Sequence, residues 1–367
     1  MIILHISNIS ANEASGMSVV IPQHVKYQNK IADVALLNLN DNKILNEEEI
    51  KIFKVKNISN DIFKNLDAPF CNPDLIILHG IYYLKFRKIE KLIRKMRIPY
   101  ILVPHGCLSI NSLRSKYLKK KLFIKLILNK VIKNANYIQY LSQLEAETSI
   151  KGKKEIILPN GVEILKINNE KNIFSKYFRI IYIGRLSIQH KGLDVLLEAC
   201  NVIKNDMKNN NIILEIYGPD CDGDKQYLDK YINDNGLKEI VKIYGSIFGK
   251  DKNDKINASD IFIQTSRWEG QPIGIMEAMQ IGKPVIVTYG TNISKEVEEY
   301  NCGWISECNA KKISENILEA FYNRKYIDIK GKNSKKMIRE KYSWEIVSRI
   351  TCEKYEEIIL NERYNKC

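Results

Sequence analysis

The second half of the chain alternates short apolar runs with longer helical stretches, and this alternation limits the folds it can adopt. The apolar runs predict strands at 179–183, 212–217, 240–244, 261–263, 285–287 and 304–305. Strands and helices that alternate at this spacing indicate βαβ units, and therefore a parallel sheet covered by helices. Ligands of such open sheets bind outside the carboxyl ends of the strands. We therefore look for functional residues in the loops that follow these strands.

The first half of the chain has a similar pattern with weaker signals. Its predicted strands are 2–6, 34–37, 52–55, 75–78, 99–103, 137–141 and 156–158. A length of 367 residues is sufficient for two domains of ordinary size. We predict an α/β protein with two doubly wound, Rossmann-like domains that face a cleft. The predicted boundaries give an N-terminal domain at 1–165, a C-terminal domain at 166–340 and a last helix at 341–367 that packs back across the cleft.

Composition predicts a globular protein of a reducing compartment. Hydrophobic residues make up 45% of the chain and charged residues 27%. The 8 cysteines occur singly, without a C-x-x-C pair, which argues against a zinc site and a disulfide framework. No apolar run approaches the roughly 18 residues of a membrane span. The predicted location is cytoplasmic, with peripheral membrane contact at most.

The positive charge is concentrated in the first half. Residues 1–166 hold 26 Lys/Arg and 14 Asp/Glu, whereas residues 167–367 hold 31 and 29. The segment 113–133 contains eight basic residues, no acidic residue and many interleaved apolar residues. A basic amphipathic helix of this type suits an anionic membrane surface. The alternative is an ordinary helix with a solvated basic face. Binding to nucleic acid is less well supported, because no nucleic-acid-binding module accompanies the charge.

Residues 269–279 carry two carboxylates around a glycine-containing turn. Their sequence is Glu-Gly-Gln-Pro-Ile-Gly-Ile-Met-Glu-Ala-Met, between predicted strands at 261–263 and 285–287. Glu269 precedes a predicted helix and Glu277 lies inside it, so the two can hold different parts of one ligand. A carboxylate accepts two hydrogen bonds and suits neighbouring hydroxyls of a sugar or ribose. The alternative is two solvated glutamates at a helix N-terminus.

A second loop carries two cations after the first strand of the same domain. Arg185 and Lys191 lie six residues apart, and Gly184 and Gly192 adjoin them. Arginine offers a planar fork to phosphate oxygens and lysine offers a point charge. Together they would neutralise a diphosphate leaving group. Taken alone, such a loop is also compatible with simple solvation.

Histidine and glycine mark the strand ends of the first domain. Two predicted strands end in His-Gly, at 79–80 and at 105–106. We interpret His79 as a turn residue, and we expect His105 to orient a hydroxyl or act on a proton. Gly16 follows the first strand and precedes the first helix. It permits a phosphate to approach the backbone, or it simply forms a turn.

Several motifs together resemble the donor domain of retaining glycosyltransferase family 4. They are Gly184-Arg185-Leu186, Lys191-Gly192, Tyr217-Gly218, Tyr244-Gly245, Ala258-Ser259-Asp260 and Glu269-x7-Glu277, and the resemblance covers about residues 155–360. It implies a GT-B fold, a nucleotide-diphosphate-sugar donor, and neither a cofactor nor a catalytic metal. The first half of the chain is far less informative.

Carried onto this sequence, the resemblance implies a role for each site residue. Arg185 and Lys191 would bind the diphosphate, Glu277 the ribose and Glu269 the donor sugar. The backbone around the sugar would come from Gly270, Gln271, Pro272 and Ile273. His105 would lie near the transferred sugar. Gly16 would face the phosphate, although Ser15 precedes it where many members of the family have a second glycine.

The expected function is transfer of a sugar, with retention, to an acceptor hydroxyl. The charge of the first half suggests a lipid-linked or surface-polysaccharide or lipopolysaccharide intermediate, reached at the inner face of the cytoplasmic membrane. Three alternatives remain open: a nucleotide-sugar epimerase or phosphorylase of the same fold, a non-catalytic nucleotide-binding module, and a nucleic-acid binder.

Overall fold

The structure is a computed structural model that describes residues 1–13, 15–114, 117–165, 176–221 and 223–364. It divides into two compact units. The first unit runs from Met1 to Gly161 and includes the C-terminal helix, and the second unit is Val162–Ser343. The predicted domain boundaries at 165/166 and 340/341 lie within a few residues of these limits. The expected cleft between the domains stays a prediction.

The first unit is built on a seven-stranded parallel sheet. Its strands are β1 (Ile2–Ser7), β2 (Asp33–Asn38), β3 (Ile52–Lys54), β4 (Leu75–His79), β5 (Tyr100–Val103), β6 (Tyr137–Tyr140) and β7 (Glu155–Ile157). Their order in the sheet is β3-β2-β1-β4-β5-β6-β7. The chain therefore changes direction across the sheet between β1 and β4, which is the switch point where such sheets bind ligands.

The helices of the first unit connect and cover these strands. They are α1 (Gly16–Gln28), α2 (Phe86–Met96), α3 (Ile110–Arg114), α4 (Tyr117–Phe123), α5 (Asn129–Asn134), α6 (Gln143–Thr148) and, at the end of the chain, α16 (Trp344–Tyr364). Helix α16 packs against α1 within this unit.

The basic segment departs from the single helix expected at 113–133. A π-helical turn at Ile124–Leu128 separates α4 from α5. Because a π turn widens the helix, it changes which side chains face the core. Leu122 and Leu126 are 57% and 61% exposed, whereas Leu128 is buried. The described part of this segment is therefore helical over 117–134 with a π turn in its middle, and residues 115–116 lie outside the described residues.

The second unit is built on a six-stranded parallel sheet. Its strands are β8 (Phe178–Ile183), β9 (Ile212–Tyr217), β10 (Val241–Tyr244), β11 (Ile261–Gln264), β12 (Val285–Thr288) and β13 (Gly303–Ser306), in the order β10-β9-β8-β11-β12-β13. Every residue of β9, β11 and β12 is buried, which explains why these parallel strands are mostly apolar in the sequence, with Glu215, Gln264 and Thr288 as the polar exceptions. The switch point lies between β8 and β11.

The helices of the second unit follow the same alternation. They are α7 (Ile188–Lys191), α8 (Leu193–Val202), α9 (Lys204–Asn209), α10 (Lys225–Asp234), α11 (Gly249–Ala258), α12 (Ile273–Ile281), α13 (Ser294–Glu299), α14 (Ala310–Tyr322) and α15 (Ile327–Met337). In the part of the chain that the structure describes, no helix is both long enough and apolar enough to cross a membrane.

Gly192 joins α7 to α8 at a position that no other residue fits well. Its backbone has φ +65°, and a Cβ atom would lie 2.3 Å from the carbonyl oxygen of Thr265. The hydroxyl of Thr265 donates to the carbonyls of Lys191 and Gly192, at 3.2 and 3.1 Å. The loop after β8 is thereby fastened to the end of β11.

We expect Gly192→Ala to destabilise the protein more than Gly236→Ala. Gly236 has a similar φ of +63°, but nothing lies within 4 Å of the Cβ atom it would gain. The left-handed backbone alone costs alanine roughly 1–2 kcal/mol, and the clash with Thr265 brings the cost at Gly192 to about 3 kcal/mol or more. Urea denaturation of both variants measures the difference. Equal decreases in the free energy of unfolding would show that the contact with Thr265 does not affect stability.

Candidate active site

The loops that carry the predicted site residues meet at one place in the second unit. Strands β8 and β11 are neighbours in the sheet, and both loops leave from their carboxyl ends. The loop after β8 carries Arg185 and leads into α7, which ends at Lys191. The loop after β11 carries Glu269 and leads into α12. The fold therefore brings the cationic loop and the two-glutamate turn to the switch point of the sheet.

A buried ion pair joins the two loops. The Lys191 ammonium lies 2.5 Å from Glu269 Oε1, and the two side chains are 13% and 8% exposed. Gln264 Nε2 and Ser266 Oγ donate to the same carboxylate oxygen, at 2.7 and 2.6 Å. Glu269 is thus held by side chains from α7, from β11 and from its own loop.

Opposing effects act on the Glu269 carboxyl. Burial by itself would raise its pKa, because a charged carboxylate loses hydration. The positive charge of Lys191 and the hydrogen bonds from Lys191 and Ser266 outweigh burial, and His190 adds to this effect when its ring is protonated, so the pKa of Glu269 lies below its usual value. Glu269 is therefore an anion at neutral pH, with a fixed orientation.

His190 links this pair to Arg185. His190 Nε2 lies 3.6 Å from Glu269 Oε2, and Arg185 Nη2 donates to His190 Nδ1 at 3.3 Å. Burial lowers the pKa of His190 to about 4, and the nearby cations Lys191 and Arg185 add to this effect, so the ring is neutral at neutral pH. With Nδ1 as the acceptor, its proton is on Nε2 and faces Glu269. Arg185, Lys191 and Glu269 therefore belong to one connected set of side chains.

The turn between Glu269 and α12 is fixed by its backbone. Asn292 Nδ2 donates to the carbonyl of Glu269 and to that of Gly270, the latter at 3.2 Å. Pro272 flanks the helix at the N-cap, so α12 begins one residue later than the first-turn position expected for this proline. Gln271 Nε2 contacts the sulfur of Met276 at 3.3 Å. The Ile273 amide donates to the carbonyl of Gln271 at 3.1 Å, and the next amides of the first turn, of Gly274 and Ile275, have no acceptor within the helix and can face an anion.

Glu277 is not part of the connected set around Glu269. Its Oε1 accepts a hydrogen bond from Lys252 Nζ of α11 at 2.7 Å, and the two side chains are 25% and 22% exposed. The expected common pocket is thus supported by a direct contact between Lys191 and Glu269 and, for Arg185, by its contact with His190. For Glu277 it stays a prediction based on its position in the second turn of α12.

The remaining predicted residues lie in the first unit and at the end of β8. Gly184 follows β8, and a Cβ atom on it would lie 2.7 Å from the hydroxyl of Tyr182. Gly16 is the first residue of α1, and nothing in the protein lies within 4 Å of the Cβ atom it would gain. His105 follows β5 in a left-handed conformation with φ +51°. The buried Glu145 accepts the amide proton of Gly106 at 2.6 Å and that of Leu141 at 2.7 Å, which fixes the turn that carries His105.

Several side chains of the site were not predicted from the sequence. They are His190, Gln264, Ser266, Asn292, Lys252 and, in the first unit, Glu145. Gln264 had the clearest available signal, because it is a polar residue at the carboxyl end of a buried apolar strand. The described residues contain no group of three or more His, Cys, Asp or Glu side chains arranged to hold a metal ion.

Comparison with known proteins identifies the second unit. The family model "Glycosyl transferases group 1" matches residues 163–343. This match spans most of the second unit and just under half of the chain, so the second unit is similar to a group 1 glycosyltransferase domain. The connected set of Arg185, Lys191 and Glu269 lies within this domain.

Relatives and solved structures agree with this assignment. The UDP-Gal:alpha-D-GlcNAc-diphosphoundecaprenol alpha-1,3-galactosyltransferase of Escherichia coli is 27% identical over 220 residues, covering 57% of this chain and 55% of the relative. The poly(ribitol-phosphate) alpha-N-acetylglucosaminyltransferase of Staphylococcus aureus (strain COL) is 26% identical over 224 residues, covering 59% and 44%. The chain thus matches about half of the length of these relatives.

The structure of Anabaena HepE in complex with UDP extends the likeness to both units. It superimposes with a TM-score of 0.76 at 18% identity, covering 97% of this chain and 100% of HepE. This likeness shows the fold. The protein has two Rossmann-like units with parallel sheets, as in GT-B glycosyltransferases, which confirms the predicted fold class.

We expect Lys191→Met to destabilise the protein, because it leaves the Glu269 carboxylate buried without its ammonium partner. Breaking a buried pair by removing one member costs about 3–5 kcal/mol. The double variant Lys191→Met/Glu269→Gln removes the unpaired charge and should regain most of that loss. Urea denaturation of the two single variants and the double variant gives the coupling energy. Additive losses would contradict a direct interaction between the two side chains.

Proposed function

We propose that this protein transfers a sugar from a nucleoside diphosphate sugar to an acceptor hydroxyl, with retention of the anomeric configuration. The observation that carries the proposal is the buried pair of Lys191 and Glu269, 2.5 Å apart, at the switch point of a group 1 glycosyltransferase domain. A site of this kind combines one fixed anion with two cations. It matches a ligand that has hydroxyl groups at one end and phosphates at the other.

The cations are suited to the diphosphate. An ammonium has three N–H donors, and Glu269 takes one of those of Lys191, so phosphate oxygens can accept the others. Arg185 is exposed and adds its guanidinium fork, and the first-turn amides of α12 add partial positive charge. These groups would stabilise the negative charge that develops on the departing diphosphate. In this proposal they act in place of a divalent ion.

The carboxylates are suited to hydroxyl groups. Oε1 of Glu269 is already occupied by three donors, so a sugar hydroxyl would approach Oε2, beside the Nε2–H of His190. The ordered turn from Gly270 to Ile273 would surround the same sugar. Glu277 would hold the ribose hydroxyls through the carboxylate that Lys252 now contacts. His105 of the first unit would bind a further sugar hydroxyl.

The similar proteins suggest which donors and acceptors to test first. HepE has been solved with UDP and with UDP-glucose, and the relative from Escherichia coli is named for UDP-Gal and a diphosphoundecaprenol-linked sugar. We therefore propose a UDP-sugar as the donor. The proposed acceptor is a lipid-linked intermediate of a surface polysaccharide or lipopolysaccharide.

We expect Arg185→Ala to weaken the binding of UDP about tenfold or more and to leave the weak binding of uridine unchanged. The loss of one hydrogen bond between charged groups costs about 1.5–3 kcal/mol, which corresponds to a factor of roughly 10–100 in Kd. Arg185 is exposed, so the variant should fold normally. Calorimetric titration with UDP, UMP and uridine measures the effect. Lys312→Ala is the matched control, since Lys312 forms a surface pair with Glu315 on α14.

Turnover is tested with UDP-glucose, UDP-galactose and UDP-N-acetylglucosamine, in EDTA and again with Mg²⁺. Donor hydrolysis or transfer that is lost in Glu269→Gln and retained in EDTA would support the mechanism. Interconversion of sugars without an acceptor would indicate an epimerase, and a requirement for inorganic phosphate would indicate a phosphorylase. UDP binding with no turnover of any donor would indicate a nucleotide-binding module.

The surface around α4 and the π turn is suited to an anionic membrane. Leu122 and Leu126 lie one turn apart and are 57% and 61% exposed. Lys121 and Lys125 are exposed beside them. Apolar side chains of this kind insert below lipid headgroups, while each lysine gains about 1 kcal/mol near anionic lipid. We propose that this surface docks on the inner face of the cytoplasmic membrane, where a lipid-linked acceptor is found.

We expect the double variant Leu122→Ser/Leu126→Ser to bind vesicles of phosphatidylglycerol at least tenfold more weakly, because two partly inserted leucines contribute about 1–2 kcal/mol each. Co-sedimentation at low salt measures binding, with phosphatidylcholine vesicles as the neutral surface. Leu360→Ser is the matched control, because Leu360 is 50% exposed on α16 of the same unit. Equal binding to both lipids, or no effect of the leucine substitutions, would contradict membrane docking here.

A further inference from the structure

Four of the five histidines of the chain form one hydrogen-bonded network in the first unit. We call this the histidine network, and it runs in the order Asn160, His24, Gln28, His5, His79, His105. His24 Nε2 lies 2.9 Å from Asn160 Oδ1, and Gln28 lies 3.3 Å from His24 Nδ1 and 3.0 Å from His5 Nε2. His5 Nδ1 lies 2.7 Å from His79 Nε2, and His79 Nδ1 lies 3.0 Å from His105 Nε2.

The amide groups give this network a single direction. Asn160 Oδ1 can only accept, so His24 carries its proton on Nε2 and accepts on Nδ1 from the Gln28 amide. Gln28 Oε1 can only accept, so His5 carries its proton on Nε2. His5 Nδ1 then accepts from His79 Nε2, and His79 Nδ1 accepts from His105 Nε2. Every ring nitrogen within the network has one role.

Burial keeps the network neutral. It lowers the pKa of His5 and of His105 to about 3 and that of His24 to about 4, and it also lowers the pKa of His79. An imidazolium has two donors and no acceptor, so one protonated ring would reverse or interrupt the order. With all four rings neutral, the order is maintained at neutral pH.

The end of the network is the only part that approaches solvent. His5, His24 and His79 are buried, whereas His105 is half-buried in the turn after β5. The ring of His24 packs edge-on against Trp344, with centroids 4.8 Å apart, which closes the opposite end. His105 follows β5, which is paired with β4 and is therefore one strand away from the switch point between β1 and β4.

We propose that the histidine network fixes the proton of His105 on Nε2, so that His105 Nδ1 presents an acceptor lone pair to a hydroxyl group of the sugar substrate. The identity of this substrate rests on the proposed function. His79 and His5 are then positioning residues, which act through His105 and do not touch the substrate. The network makes His105 an acceptor of a hydroxyl proton and prevents it from donating to a sugar oxygen through Nδ1.

Nitrogen NMR of the full chain labelled with ¹⁵N-histidine tests the proton order directly. Five histidines give few signals, and single His→Gln variants assign them. We expect His5, His24, His79 and His105 to be fully protonated on Nε2. We also expect couplings across two N–H···N hydrogen bonds, from His79 Nε2 to His5 Nδ1 and from His105 Nε2 to His79 Nδ1. A proton on His105 Nδ1, a mixture of tautomers, or absence of the couplings would overturn the proposal.

Two substitutions of His79 test the role of the network. Gln28 already shows that a carboxamide can donate to one ring and accept from the next. His79→Gln should therefore preserve the order, whereas His79→Leu breaks it and leaves the His105 tautomers mixed. A histidine whose proton is on the wrong nitrogen slows catalysis strongly. We therefore expect kcat for sugar transfer to fall at least about tenfold in His79→Leu. His79→Gln should regain most of that loss.

The two proposals fail in different ways. If the NMR signals show the expected order but no nucleotide sugar is turned over, the proposed function fails and the proton order stands. If sugar transfer occurs and His79→Leu and His79→Gln lose the same activity, the network has only a structural role and the inference about His105 fails. Should His79→Leu not fold, the spectrum of the unsubstituted protein still decides the tautomer of His105.

Discussion

The burial of the Glu269 carboxylate is the constraint on which the second unit depends. A buried anion is tolerated only when fixed donors replace its hydration. Those donors come from the end of α7, from the last residue of β11 and from the loop that follows it. They converge only if β8 and β11 are neighbours and their loops leave the same edge of the sheet. The stability of the carboxylate and the topology of the sheet therefore support each other.

This arrangement also prepares the site for a charged ligand. Lys191 is held by Glu269 and by the fixed backbone of Gly192, so it would not need to be ordered when the proposed phosphate ligand binds. Little reorganisation is then required as negative charge develops, and this is the main way in which fixed charges accelerate a reaction. His190 contributes because it is neutral, since it links Arg185 to Glu269 without adding a third positive charge.

The sequence predicted the strands of both units well, because parallel strands buried on both faces are continuous apolar runs. It also predicted that Arg185, Lys191 and Glu269 belong to one site, since each follows a strand that ends at the same edge. Partners such as Gln264, Asn292 and Lys252 could not be predicted, because they depend on which loops touch.

His79 was interpreted as a turn residue, whereas the structure places it in the middle of the histidine network. The helix expected at 113–133 contains a π turn that the sequence did not predict, because such a turn leaves no distinct periodicity among interleaved apolar and basic residues.

The ion pair of the second unit and the histidine network of the first unit stabilise buried polar groups in different ways. The second unit uses formal charges, in which Lys191 compensates the Glu269 carboxylate, and the proposed function adds a phosphate as a second partner of this cation. The histidine network of the first unit avoids a formal charge, since an unpaired charge in the core would be costly. It uses neutral imidazoles, whose two different nitrogens allow each ring to donate on one side and accept on the other. A network of this kind fixes the position of each proton without any net charge, and this property suits the proposed orientation of a neutral hydroxyl group.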